Sequence, residues 1–518
     1  MAKLYPIGIQ NFEKIRNDGY SYVDKTALIY QMAKTGSYYF LSRPRRFGKS
    51  LLLSTIEAYF QGKQALFDGL ALSTLEKEWL QYPILHIDLN TEKYDSEESL
   101  ENKLNTVLTQ WEKIYGKEPA EKSLYTRFEG IIRRAREKTG MRTVILIDEY
   151  DKPILQAIGN DSLQQTFRDT MKAFYGALKS MDGHIRFAML TGVTKFGKVS
   201  IFSDLNNLID ISMDHRYTEI CGITEQEMHR YFENELHELA HAQKITYERT
   251  CEELKERYDG YHFTEDSPGI YNPFSLLNTL DKTKFGSYWF ETGTPTYLVK
   301  LLKQHSYDLE QMTSVKTDGD VLNSIDPSST NPVPIIYQSG YLTIKAYDPE
   351  FGLYTLGFPN REVEEGFMKF LLPYYASTND VNATFEIQSF VKEIRSGNYN
   401  AFFRRLQSFF ADTPYELIKE VELHYQNVLF IIFKLVGFYV KAEYHTSRGR
   451  IDMVLQSDQY IYIMEFKLEG TAEEALQQIK ERQYALPFAT DPRKLFEIGI
   501  NFSAKTRNIE RWVVSEKQ

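Results

Sequence analysis

The spacing of apolar positions changes character along this chain. In the first two hundred residues, continuous apolar runs alternate with helical periodicity. Tyr38 to Leu41, Ile84 to Leu89, Thr143 to Ile147 and Arg186 to Val193 read as strands. Ser50 to Phe60, with Leu52, Ile56 and Tyr59 apolar, reads as a helix, as do Ser96 to Tyr115 and Ser123 to Lys138. Strands that are apolar throughout and separated by helices predict a parallel sheet covered on both faces. An α/β domain over residues 1–220 is the expectation. From Thr224 the pattern turns helical, over Glu225 to Leu239 and Tyr247 to Tyr258. A polar stretch, Thr313 to Pro334, reads as a loop, and Gly340 to Tyr347 with Leu353 to Gly357 as a hairpin. Residues 221–360 are thus expected to form a mostly helical middle region.

A third region, 361–518, opens with helices from Arg361. Thr413-Pro414-Tyr415-Glu416 combines an N-cap, a proline at the first helical position and a capping-box glutamate. That helix is expected to run to about Val436 and stop at Gly437. Three short strands follow, Phe438 to Glu443, Ile451 to Gln456 and Tyr460 to Phe466. Thr471 to Glu474 then caps a helix reaching about Tyr484. Helix, three strands and helix make a small α/β core.

Composition narrows the classes. The two cysteines, Cys221 and Cys251, provide neither a disulfide framework nor zinc spacing, which fits a reducing compartment. Residues 1–10 lack the layout of a signal peptide, and the apolar run Val428 to Val440 is too short for a bilayer and broken by Lys434. A soluble, cytoplasmic protein with no membrane partner is expected. A net charge of −10 opposes a tight, unassisted sheath around nucleic acid. A locally basic groove on an acidic protein remains compatible with it.

Two groups of residues carry chemistry. Tyr38 to Leu41 leads into Arg43-Pro44-Arg45-Arg46-Phe47-Gly48-Lys49-Ser50 and then a helix. This is the order of a phosphate loop: backbone N–H groups wrap the phosphates, Lys49 meets their oxygens and Ser50 meets magnesium. The first glycine of the usual motif is replaced by Arg43, and Arg45 and Arg46 add cations. The apolar strand Val144 to Ile147 ends in Asp148-Glu149, placing a magnesium-organising aspartate and a water-polarising glutamate after it. Thr191 or Thr194, and Lys195 or Lys198, follow a neighbouring strand and are candidates to sense the terminal phosphate; a solvated loop explains them equally well. The second group is Asp452 on one strand and Glu465-Phe466-Lys467 on the next. Alternation puts Glu465 and Lys467 on one face. Two carboxylates and an ammonium at a strand end can hold a divalent cation and activate water against a phosphodiester. Alone, a Glu-x-Lys is more often a surface pair. Arg448-Gly449-Arg450 is a phosphate-binding candidate or a solvated turn. The histidines show no metal-ligand spacing, and Tyr288-Trp289-Phe290 reads as core before it reads as a base-stacking platform.

The blocks Tyr22-Val23-Asp24-Lys25-Thr26, Arg45-Arg46-Phe47-Gly48-Lys49-Ser50, Asp148-Glu149-Tyr150-Asp151-Lys152-Pro153 and Thr191-Gly192-Val193-Thr194-Lys195-Phe196 resemble the bacterial AAA-ATPase-like family. Tyr258-Asp259-Gly260-Tyr261, Tyr271-Asn272-Pro273 and Phe358-Pro359-Asn360 extend the resemblance over nearly the whole chain. Many members carry a C-terminal PD-(D/E)XK nuclease-superfamily domain. The resemblance implies an α/β protein: an AAA-like P-loop sheet, a helical middle and a restriction-endonuclease-like core. It implies ATP and magnesium as ligands and DNA or RNA as partner, and leaves a homo-oligomer open. By the same resemblance Asp452 and Glu465 are metal ligands, Lys467 orients water, Glu422 is an accessory ligand and Gln478 positions water or backbone. The expected function is an ATP-dependent switch joined to a nuclease. The alternative is a signalling protein whose nuclease-like domain binds without cutting.

Overall fold

In the computed structural model, described residues are 3–196, 205, 207–290, 296–323, 325, 331–376, 380–411, 421–447, 450–467, 470–503 and 505–517. Within these, side chains at 296–297, 300, 304, 323, 376, 380–384, 421–422, 444–447 and 450–452 lie outside the description. Contacts gather the chain into two units, 1–292 with 315–362, and 293–314 with 363–518.

The first unit is built on five parallel strands: β1 (Tyr38–Ser42), β2 (Ile84–Asp88), β3 (Thr143–Asp148), β4 (Ile185–Gly192) and β5 (Ile209–Asp210), in the order β2-β3-β4-β1-β5. β3 is buried at all six positions, as expected for a strand covered on both faces. The helix after β1 is α1 (Lys49–Phe60); α2 (Glu97–Tyr115), α3 (Leu124–Thr139) and α4 (Asp161–Ser180) follow. Leu100, Leu104, Leu108 and Trp111 of α2 repeat every three or four residues and enter the same core as Phe128 of α3 and Phe174 of α4. The last two rings stack at 4.5 Å. Each such buried side chain contributes about 1.5–3 kcal/mol. Ser123 and Thr126 form the capping box that starts α3.

Of the expected middle region, 221–292 and 315–360 belong to this same unit, and 293–314 to the second. Helices α5 (Glu225–Gln243), α6 (Tyr247–Tyr258) and α7 (Pro273–Lys282) form a second apolar cluster, with a two-stranded pair, β6 (Ile223–Thr224) and β7 (Ile270–Tyr271). The sequence blocks without evident chemistry have structural work here. Asn272 caps α7 by accepting from Phe274 N and Ser275 N, with Pro273 at its first position. Gly260 adopts φ +93, and a Cβ there would lie 2.3 Å from the Pro359 carbonyl. The expected hairpin is present, but Thr313 to Pro334 is not simply a loop. It contributes β8 (Val315–Asp318), which pairs with β10 (Leu353–Gly357) beside β9 (Thr343–Asp348). Backbone pairing to a neighbouring strand overrides the polar composition that marked the segment as irregular.

The second unit holds α8 (Arg361–Ala376), α9 (Asp380–Arg395), α10 (Tyr399–Ala411) and α11 (Val421–Gly437). A sheet follows: β11 (Lys441–Ser447), β12 (Arg450–Gln456), β13 (Tyr460–Lys467), then α12 (Ala472–Glu481), β14 (Lys494–Ser503) and β15 (Asn508–Lys517). The Thr413 cap lies outside the described residues; α11 ends at Gly437 as expected. β11 begins three residues later than expected, after a turn in which Tyr439 N and Val440 N both donate to Val436 O. β14 and β15 extend the expected three strands to five. No described helix is long and apolar enough to cross a membrane.

Candidate functional site

The C-terminal ends of β1, β3 and β4 meet at one edge of the first sheet, where open α/β sheets bind ligands. Gly48, exposed at φ +95, makes the turn into α1. Among the described residues, the backbone N–H groups of Arg45 to Ser50 donate to no protein acceptor. Six unused donors at a helix start suit an anion. Lys49 is buried; its ammonium donates to the carbonyls of Arg43 (3.0 Å) and Pro44 (3.3 Å) and lies 3.5 Å from the Glu149 carboxylate. Asp148 Oδ1 accepts from the Thr191 hydroxyl (2.6 Å) and from Glu149 N (3.0 Å). Glu149 adopts φ +52, a left-handed conformation rare for a side chain of its size. Ser50 is partly buried in the first turn of α1.

The arginines divide. Arg45 and Arg46 are exposed, with Arg46 at φ +67 and its guanidinium 5.3 Å from the Phe274 ring. Arg43, at the position of the missing glycine, is buried. It donates to the carbonyls of Ser42 (2.9 Å), Ser212 (2.7 Å) and Tyr217 (3.4 Å) and lies 3.7 Å from the Phe263 ring. Burial pushes its guanidinium down to about 10. It ties the loop entrance to the segment after β5.

The segment after β4 is held firmly. Thr194 gives its hydroxyl and N–H to Asp151, which is fully buried and also accepts from Val193 N (3.1 Å). Burial, reinforced by the neighbouring Glu149 charge, raises the Asp151 carboxyl above its ordinary range. Tyr150 donates its hydroxyl to Thr194 O (3.0 Å). Of the two threonines, Thr191 therefore touches Asp148 and Thr194 touches Asp151. Lys195 is in an ion pair with Asp210, and Lys198 lies outside the described residues. Sequence reasoning assigns Tyr150 and Asp151 no role beyond their place in the family-like block; the signal for Asp151 is an acid three residues past Asp148. Beside the loop, a largely apolar cavity of about 100 Å³ is bordered by Tyr22, Phe47, Gly48, Leu51, Cys221 and Pro273.

In the second unit, antiparallel pairing sets Asp452 directly across from Glu465, and β14 sets Gly499 on Glu465's other side. Lys467 pairs with Arg450 and Asn501. Directly opposed positions share a face of a sheet. Glu465 is fully buried and Lys467 partly so. The side chains of Glu422 and Asp452 lie outside the described ones, as does the turn 448–449. Gln478 is half-buried on α12, whose Ala472, Ala475 and Ile479 face the sheet. Ile479 packs with Ile461 and Ile463, so α12 covers the face of β13 that carries positions 465 and 467. Phe466 faces the other way, toward Phe403 of α10 and Phe433 of α11. Gly499 lets α12 approach: a Cβ there would lie 2.1 Å from the Ala472 carbonyl. Helix coverage buries Glu465 more deeply than an exposed strand end would. Position 422 occurs in the first turn of α11. An open cleft of about 390 Å³ borders Gly470, Thr471, Glu473, Asn501, Ser503 and Arg511. Among the described side chains, no cluster of three or more His, Cys, Asp or Glu is placed to hold a metal ion.

Two family models match the chain, one within each unit. The family described as Predicted AAA-ATPase matches residues 6–202, and the PD-(D/E)XK nuclease superfamily matches residues 420–512. The chain is also 36% identical, across 99% of both sequences, to an uncharacterized protein in the vnfD 5' region of Azotobacter chroococcum mcd 1.

Proposed function

We propose an ATP-hydrolysing switch joined to a magnesium-dependent nuclease, from the premise that the chain belongs to the predicted AAA-ATPase family and carries a PD-(D/E)XK nuclease-superfamily domain. In this reading the free N–H groups of 45–50 cradle phosphate oxygens and Lys49 meets them. Exposed Arg45 and Arg46 add positive charge. The apolar cavity beside Gly48 takes the base. Ser50 and Asp148 would hold magnesium, and Thr191 fixes the rotamer of Asp148. Glu149 orients and deprotonates the attacking water. The 3.5 Å contact of Lys49 with Glu149 holds that base in check, and phosphate competing for the ammonium releases it.

The nuclease half is carried by one observation, the register of Asp452 opposite Glu465 with Lys467 two residues on. Hard oxygen donors at neighbouring positions suit a divalent cation, with Glu422 as accessory ligand. Such a cation neutralises charge on a phosphodiester and lowers the pKa of water. Lys467 orients that water, and Gln478 steadies it from α12. The competing reading, a protein that binds without cutting, draws on the net charge of −10.

The full-length chain, incubated with Mg²⁺ or Mn²⁺ on single- and double-stranded DNA and RNA, with and without ATP, separates the two. Metal-dependent cleavage that disappears in Asp452→Ala supports the nuclease. Nucleic-acid binding without cleavage under any of these conditions supports the competing reading.

A further inference from the structure

The chain passes between its two units after Thr292, after Ser314 and after Glu362. Tyr288 and Trp289, four and three residues before Thr292, are bonded to Glu362, immediately before the last crossing, inside the first unit. Glu362 is buried, and its carboxylate accepts from the backbone N–H groups of Tyr288 (2.5 Å) and Trp289 (2.9 Å) and from the Ser275 hydroxyl (2.7 Å). Trp289 in turn donates its indole N–H to the carbonyl of Arg45 (3.0 Å). One hydrogen-bonded line therefore runs from the phosphate loop to Trp289 and on to Glu362.

We propose that Trp289 is a positioning residue for the phosphate loop, and that its bond to Glu362 passes the loop's state to the two connections leading into the second unit. This rests on the nucleotide reading above. The Arg45 carbonyl belongs to the same peptide as the Arg46 N–H, one of the six free donors, so the indole bond sets the direction in which that donor points. The next residue is held at φ +67, a conformation that persists only when its surroundings fix it. Trp289 is itself immobilised, its ring 5.3 Å from that of Tyr341 and its backbone clamped by Glu362. A buried indole has few alternative acceptors, so rotation of the 45–46 peptide on phosphate binding must either move Trp289 or break its bond. Either response reaches Glu362, one residue before the chain enters the second unit.

The test uses full-length protein with MgATP and MgADP. Trp289→Phe keeps a ring against Tyr341 and removes the donor together with part of the buried indole's bulk. Nucleotide affinity is expected to weaken roughly 3- to 10-fold, the worth of one hydrogen bond. Tryptophan emission should change when MgATP binds to the wild type, and that change should be absent from Trp289→Phe although Trp79, Trp111 and Trp512 remain. Hydrogen exchange over residues 363–372 should respond to MgATP in the wild type and fail to respond in Trp289→Phe at saturating nucleotide. Glu362→Ala, which leaves the indole intact and removes its anchor, should also lose that response, and it carries the test if Trp289→Phe does not fold. Wild type that binds MgATP with emission and exchange unchanged overturns the proposal and leaves the nucleotide reading standing. Wild type that binds no nucleotide overturns both.

Discussion

Replacing Glu362 with glutamine will stabilise the first unit at alkaline pH and change little at acid pH. The carboxyl is buried, and burial pushes it up to about 7 despite three hydrogen-bond donors that favour the charged form. Arg257 opposes the shift weakly, while Tyr258 and Tyr261, themselves pushed above their ordinary range by burial, supply no positive charge. An acid whose folded pKa exceeds its unfolded one binds its proton more tightly when folded. Stability is then greatest below the unfolded value, near 4.5, and declines as pH rises through about 7. The shift corresponds to about 3 kcal/mol. Glutamine accepts from the same two N–H groups, can donate to Ser275, and carries no charge. For a unit of roughly 340 residues, 3 kcal/mol moves the melting temperature by about 4 °C. Scanning calorimetry of wild type and Glu362→Gln from pH 4.5 to 8.5 reads the difference directly. The melting temperature of the variant minus that of the wild type should rise from near zero to about +4 °C. A difference that is flat or falls with pH refutes the argument that burial dominates at this carboxylate.

Four further outcomes follow from the geometry. Lys49→Ala removes the one buried ammonium at the phosphate loop and should weaken binding of a fluorescent ATP analogue about 100-fold or more, as expected for loss of a charged hydrogen bond in a closed site. Thr191→Val leaves Asp148 without its 2.6 Å donor and should lower the steady-state ATPase kcat about tenfold with a smaller change in KM, measured by phosphate release. Asp151→Ala deprives Val193 N, Thr194 N and the Thr194 hydroxyl of their acceptor, and should destabilise the first unit by about 3 kcal/mol in calorimetry. Gly499→Ala pushes a methyl into the Ala472 carbonyl and should destabilise the second unit by about 1–3 kcal/mol, with exchange rising along α12 while ATP binding is unchanged.

Long elements with one strong period were legible in the sequence. β3 is apolar at every position but its ends because helices cover both its faces, and α2 declares its buried stripe by spacing alone. Elements whose reason lies elsewhere in the chain were not. β5 is two residues long and exists because Tyr39 and Phe40 offer a free edge to Ile209 and Asp210. β8 has three polar residues of four and is exposed only at Lys316 and Asp318, as befits an edge strand, so composition alone marked it as a loop. β14 and β15 are long, but nothing in their own residues says that they continue the sheet begun by β11 to β13.

The same contrast governs the sites. Residues whose chemistry is local, such as Gly48, Lys49 and Asp148, announce themselves because a turn, a cation and an acid must follow strands in a fixed order. Arg43 could be seen only as a departure from that order. Its reason is three carbonyls and an aromatic face, two of the carbonyls from residues about 170 positions away. Trp289 read only as part of an aromatic core segment and Glu362 gave no signal, because neither belongs to a spaced motif and their partners lie 244 and 73 positions distant. A hydrogen bond costs the chain the same desolvation whether its partner is near or far in sequence, but only near partners leave a pattern that a single chain displays. The catalytic half of a site is therefore the more readable half. The groups that connect it to the rest of the molecule are those a structure has to supply.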